Sequence, residues 1–318
     1  MKSYLQEPEA QRLPDATEAT INRSHYYRQF LHGYYQFDCV VEKDVTRSTK
    51  FYIPEGSIYN QPTIFLGVPG GKNSWDFLVE SGWKALADEY GLYLVLMEAS
   101  DETGWKGDQA DEAYLNALNN DISLRPMFCS FQPNFYAVAY GDSADVVARQ
   151  SRKSPRAYAV VALIGTSGMT EEEETMLSET ESRVPGVTFS AIQTPIWIVP
   201  ARTKDSQTDQ EKEAVEQAVE RETSYYRRAN HSEENGSVLG TKTVWLPKEG
   251  GDDDEYWCAN VVEDQCEWES CVNRAYSEAI LTELFDGIYR YPGNNNGALR
   301  KAGNIYERGF QKFSADVW

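Results

Sequence analysis

Histidine is nearly missing from this chain: 318 residues contain three, His25, His32 and His231. Chemistry that needs an imidazole therefore has few places to find one. Basic residues are short as well, with 30 Lys and Arg against 50 Asp and Glu, a formal charge of -20. A surface for nucleic acid or an anionic membrane would be built against that field, so neither partner is expected. No apolar run approaches the roughly 20 residues of a membrane-spanning helix. The opening "MKSYLQEPEAQRLPDATEAT" lacks the apolar centre of a signal peptide, and the chain as written reads as not marked for export.

Cysteine is scarce and odd in number: Cys39, Cys129, Cys258, Cys266 and Cys271. No Cys-x-x-Cys pair or neighbouring histidine makes a zinc site. Free thiols are the plain reading, and a disulfide among the last three stays open for an oxidising compartment. "GVPGGKNS" has the wrong spacing for a phosphate loop, and "GDDDE" reads as a solvated turn rather than a calcium loop. Neither a cofactor nor a metal is expected.

What is present is an alternation of strand and helix. "QFDCVV", "KFYIP", "PTIFLGV", "LYLVLME", "NFYAVAY", "RAYAVVALIG", "TPIWIVPA" and "TKTVWLP" read as strands. Between them, "SWDFLVESGWKALADEY", "DQADEAYLNALNNDI" and "DQEKEAVEQAVERETSYYRRAN" have helical spacing. Strands apolar on both faces, separated by helices, imply an α/β domain with a mostly parallel sheet covered on both sides. That domain is expected over residues 35–290, after an extension at 1–34 and before a Gly- and Asn-rich tail at 291–318. The tail reads as a linker toward a second unit. The acidic stretch within residues 171–190 reads as a solvated insertion or a lid.

The stretch "NFYAVAYGDSADVVARQ" carries the chemistry. An apolar strand runs into a tight turn and then a helix, as where a serine nucleophile is mounted. Ser143 is the candidate nucleophile, with Gly141 two residues before it and Asp145 where a small residue is usual two residues after. Capping of the helix by Ser143 or Asp142 is the structural alternative. The acid should follow a later strand, which places it at Asp205, with Asp209 as runner-up and a possible helix cap. Oxyanion donors would be the backbone N–H of Ala144 and that of Gly70 or Gly71, since Pro69 has none. The histidine should follow the last strand, and none does. A serine without a positioned base is a poor nucleophile at neutral pH.

The blocks "FYIPEG", "QPTIFLGVPGG", "DFLVESGWKALADEYGLYLVLMEA" and the later "GW" resemble the polyhydroxybutyrate depolymerase and feruloyl esterase group of the α/β-hydrolase superfamily. The resemblance covers most of residues 40–290 and implies an α/β-hydrolase fold and ester hydrolysis by a Ser-His-Asp triad. It implies a small-molecule or polymeric ester substrate and a secreted protein, and a second hydrolase-like unit in tandem as a possible partner. Position by position, Ser143 matches the nucleophile and Asp205 the acid. Cys266 or Glu267, before Trp268, stands where the family has its histidine, and Val68-Pro69 replaces a His-Gly pair. Two readings follow. The chain is a serine ester hydrolase, weakened or silent, or one whose base comes from His231, a further segment or a partner. Alternatively it is a non-catalytic relative that binds polymer or aryl ligands, or scaffolds another unit.

Overall fold

Short strands with no exposed position form the centre of the molecule, and their alternate side chains feed two separate cores. The computed structural model describes residues 11–12, 33–43, 45–55, 61–124, 135–183, 192–202, 206–230, 246–247, 256–257, 259–261, 267–285, 288–290 and 299–301. Its strands are β1 (Gln11–Arg12), β2 (Gly33–Glu42), β3 (Val45–Ile53), β4 (Thr63–Gly67), β5 (Tyr93–Met97), β6 (Phe135–Tyr140), β7 (Val160–Thr166) and β8 (Ile196–Pro200). Shorter ones follow: β9 (Leu246–Pro247), β10 (Tyr256–Trp257), β11 (Ala259–Val261), β12 (Ile288–Arg290) and β13 (Leu299–Lys301). Nine of them make one sheet in the order β1-β2-β3-β5-β4-β6-β7-β8-β11. From β5 across to β11 all neighbours run parallel, while β3 is antiparallel to both β2 and β5.

Helices α1 (Ser74–Glu80) and α2 (Trp83–Tyr90) connect β4 to β5, and α3 (Gln109–Leu124) lies between β5 and β6 in the chain. After β6 come α4 (Asp142–Lys153), α5 (Glu171–Arg183), α6 (Asp209–Ala229) and α7 (Arg274–Ala279), which runs into a π-helical turn, Ile280–Phe285. One face of the sheet packs Ile64, Leu66, Val138 and Tyr140 against Trp75, Trp83, Leu86 and Phe285. The other packs Phe65, Val95 and Ala137 against Tyr114, Leu118, Val147 and Tyr226. Both faces are covered, as the unbroken apolar strands predict.

The stretch expected as one helix over residues 74–90 is two. Gly82 takes φ 80°, and a Cβ there would lie 2.4 Å from the Cα of Arg274. Only glycine admits that backbone turn and that close approach. The acidic stretch read as a solvated insertion or a lid holds the thirteen-residue helix α5, with four glutamates in its first turn, where the helix dipole favours them. Thr208, rather than Asp209, caps α6, in a reciprocal capping box with Glu211. Among the described residues no helix is long and apolar enough to cross a membrane. Most of the expected extension and tail, with His25 and His32, lies outside the described residues.

Candidate active site

The chain leaves β4 for α1 on one face of the sheet and leaves β6 for α4 on the other. That switch opens a crevice beyond the carboxyl ends of β4 and β6, the usual ligand site of such sheets. The bend between β6 and α4 is made by Gly141, at φ 58° and ψ -134°. This is a conformation that costs a side-chain-bearing residue on the order of 1–3 kcal/mol and costs glycine little. Its N–H donates to Ile164 O at 2.8 Å, which fixes the turn to the neighbouring strand.

Ser143 does not sit on that bend. It is the second residue of α4 and is fully buried. Its Oγ donates to Tyr140 O at 2.7 Å and accepts from Tyr140 N at 3.0 Å, so the hydroxyl is spent on the end of its own strand. A Cβ on Gly67 would lie 2.6 Å from Ser143 Oγ and 2.9 Å from Ala139 Cβ. The small residues that let strand pack on helix are therefore Ala139 and Ser143, symmetric about Gly141 rather than about Ser143. Asp145, out of place in a turn centred on 143, falls outside the tight packing of a turn centred on 141.

Of the expected oxyanion donors, Ala144 N donates to Gly141 O at 3.0 Å, within the first turn of α4. Gly70 N donates to Asp142 Oδ1 at 2.8 Å, and Trp105 N donates to Asp142 Oδ2 at 2.9 Å. One carboxylate thus takes an amide from the loop after β4 and another from the loop after β5. Gly71, at φ 73°, shapes the first of these loops. The indole of Trp105 ties the loops together by donating to Val68 O at 2.8 Å. Trp105 was present in the sequence only as part of a "GW" pair, which says nothing about where its amide points.

Trp268 closes the crevice from the side. A Cβ on Gly141 would lie 3.0 Å from its Nε1, and a Cβ on Gly165 would lie 2.9 Å from its own Cβ. The amine of Lys72 lies 5.5 Å from the centre of the indole. Glu267 is exposed, just before the short 3-10 helix Trp268–Cys271. Trp268 therefore reaches the bend. Cys266, Asp205 and His231 lie outside the described residues. A cleft of about 830 Å³ adjoins the crevice, lined by Arg47, Gly70, Lys72, Glu98 and Asp101 among others. At its rim Asp101 pairs with Lys106 at 2.8 Å, and the hydrogen bonds from Lys106 and Thr103 hold its carboxyl well below the usual range.

A second polar cluster, unforeseen in the sequence, lies behind the bend. Arg152 is buried between Glu222 of α6 and Glu173 of α5, with a 3.0 Å contact to the latter. Arg149 also pairs with Glu173. Asp145 Oδ1 accepts from Thr166 Oγ1 at 2.8 Å and Ser167 N at 2.7 Å. Burial pushes Glu222 up to about 7 despite Arg152, and burial raises Asp145 as well. Among the described residues no group of His, Cys, Asp and Glu is placed to hold a metal ion.

No family profile and no curated protein matches the chain. Solved structures do. The poly(3-hydroxybutyrate) depolymerase LpqC from Bordetella parapertussis is 17% identical, with a TM-score of 0.52 over 89% of this chain and 97% of that one. FphF, a fluorophosphonate-binding serine hydrolase of Staphylococcus aureus, is 8% identical, with a TM-score of 0.47 over 78% of this chain and 98% of that one. Identities this low speak to the fold. With its mostly parallel sheet, helices on both faces and a strand-to-helix bend at the switch point, this chain has the α/β-hydrolase fold.

Proposed function

We propose that this chain is a non-hydrolytic relative of the depolymerase-type esterases, a domain that binds or scaffolds on a hydrolase framework. The observation that carries the reading is the residue at the bend. In a nucleophile elbow the reactive side chain projects from the strained turn residue, and here that residue is Gly141. Ser143, two residues on, has its hydroxyl turned back onto Tyr140 in the interior. Asp142 engages a loop amide that an oxyanion would need, and Trp268 stands where a side chain on residue 141 would point. The likeness to a depolymerase makes ester-like molecules the first ligands to try, as ligands rather than substrates.

The test is labelling of the purified chain with a fluorophosphonate, alongside turnover of short p-nitrophenyl esters. Neither signal should exceed that of the heat-denatured protein, and Ser143→Ala should behave like wild type in both. Labelling or turnover that vanishes in Ser143→Ala would restore the serine esterase reading.

A further inference from the structure

We infer that the amides of Gly70 and Trp105 form a carboxylate-binding site, and that Asp142 is its resident ligand, supplied by the chain itself. An external monocarboxylate would take the same place whenever that side chain is displaced, with the rest of the molecule lying in the adjoining cleft. The inference concerns the same crevice as the proposal above and rests on it only in taking these amides to be binding rather than catalytic groups.

The site is shaped for two oxygens. Each carboxylate oxygen takes one amide, Oδ1 from Gly70 at 2.8 Å and Oδ2 from Trp105 at 2.9 Å. The loops also make room for it. A Cβ on Gly104 would lie 2.3 Å from Asp142 Oδ2, and one on Gly70 would lie 2.7 Å from the same atom. A side chain on Gly104 would fill the cradle, and one on Gly70 would also strike Gly104 Cα at 2.3 Å, so glycine at both positions lets the two loops close around a carboxylate. The two donors come from loops that are 35 residues apart in sequence, and the Trp105 indole bond to Val68 O holds them at a fixed separation. Such preorganised backbone donors bind an anion without further ordering.

Two features decide the ligand. The neighbouring cleft carries Glu98, Asp101 and Glu102 beside Arg47 and Lys72. Arg47 is already paired with Asp111 at 2.8 Å and Glu98 with Lys50 at 3.3 Å. That leaves little positive charge for a dianion such as phosphate, whereas a single negative charge meets the two amides that already hold one. Asp142 itself is exposed, so it can rotate into solvent without unpacking the core. A carboxylate-bearing molecule in the cleft then competes with a tethered, equivalent group. Tethering gives Asp142 a high effective concentration, which keeps the site closed to weak external anions.

The experiment removes the tethered ligand and supplies a free one. Asp142→Ala and Asp142→Ser are prepared in the full chain, the serine being a second choice well suited to a helix start. Each is titrated with sodium acetate against sodium chloride at matched ionic strength. Thermal denaturation and the ¹⁵N–¹H signals of Gly70 and Trp105 are followed. The variants should melt lower than wild type, acetate should recover at least half of that loss in the millimolar range, and both amide signals should shift saturably. Wild type should respond to acetate no more than to chloride. A variant that folds only in acetate supports the inference equally. The absence of an acetate-specific shift at both amides overturns it, as does a variant that stays unfolded at every acetate concentration, or a wild type that binds acetate as well as its variants do. Inorganic phosphate matching acetate would overturn the preference for a monocarboxylate. Fluorophosphonate labelling of wild type would sink the non-hydrolytic reading and leave the acetate result standing, so the two failures are distinguishable.

Discussion

Helix α4 carries two aspartates one turn apart, Asp142 and Asp145, and they live in opposite surroundings. Asp142 lies at the solvent edge and is held by backbone amides of two loops. Asp145 faces inward to Thr166 and Ser167, close to the buried Arg152, Glu173 and Glu222. In the first place a carboxylate replaces ligand chemistry at low cost, because water still reaches it. In the second, carboxylates gather round one buried cation, and the balance of burial against arginine charge sets their proton affinity, upward at Glu222 and Asp145 and downward at Glu173. The crevice can change its chemistry by exchanging a surface side chain, whereas the cluster cannot lose a member without exposing buried charge to an apolar interior.

The comparison is broken most severely at Arg152. Its replacement by Met takes the cation from buried Glu222 and leaves Glu173 with Arg149 alone, and should cost about 3–5 kcal/mol in urea denaturation. A loss under about 1 kcal/mol would mean that the cluster is as tolerant as the crevice. The pH dependence is the next lever. Glu222 is raised from 4.5 to about 7, so the folded chain holds its proton where the unfolded chain has released it. Its contribution is fully present below pH 4.5 and is lost as pH rises through 7, with a slope of up to about 1.4 kcal/mol per unit. Glu173 works in the other direction. Burial opposes its charge, but Arg152 and Arg149 outweigh burial and lower its pKa, so its contribution is lost as pH falls below its ordinary range. Stability curves from pH 5 to 8 should therefore flatten in Glu222→Gln, and an unchanged slope would remove Glu222 as the cause. The smallest effect belongs to Ser143→Ala. Loss of its two bonds to Tyr140 should cost about 1–2 kcal/mol, read from the urea midpoint. No change would mean that the buried hydroxyl is not holding the strand end.

Most of the sheet was legible because burial on two faces makes its strands almost wholly apolar: β4, β5, β6 and β8 are buried at every position, with Thr63 at the start of β4 the one polar side chain apart from tyrosine hydroxyls and an indole. The split between α1 and α2 was less so, since "ESGW" shows a glycine but not the Arg274 backbone that makes it necessary. The bend was located to within two residues and centred wrongly. Ser143 carries the only hydroxyl between Tyr140 and Arg149, while Gly141, which takes the positive φ, carries no reactive group. The sign of the error was visible in Asp145, too large for the place assigned to it. Trp105 and the Arg152 cluster left no local trace, because their partners lie 21 to 70 residues away.

Residue order alone determined the alternation of buried strands and amphipathic helices, the acidic surface and the scarcity of imidazole, because each depends on side-chain type and short-range period. Which residue takes the bend, which amides meet a carboxylate and which glutamate keeps its proton were decided only by tertiary structure. Those outcomes depend on distances between loops and helices that become neighbours when the sheet closes, and on the loss of water that follows.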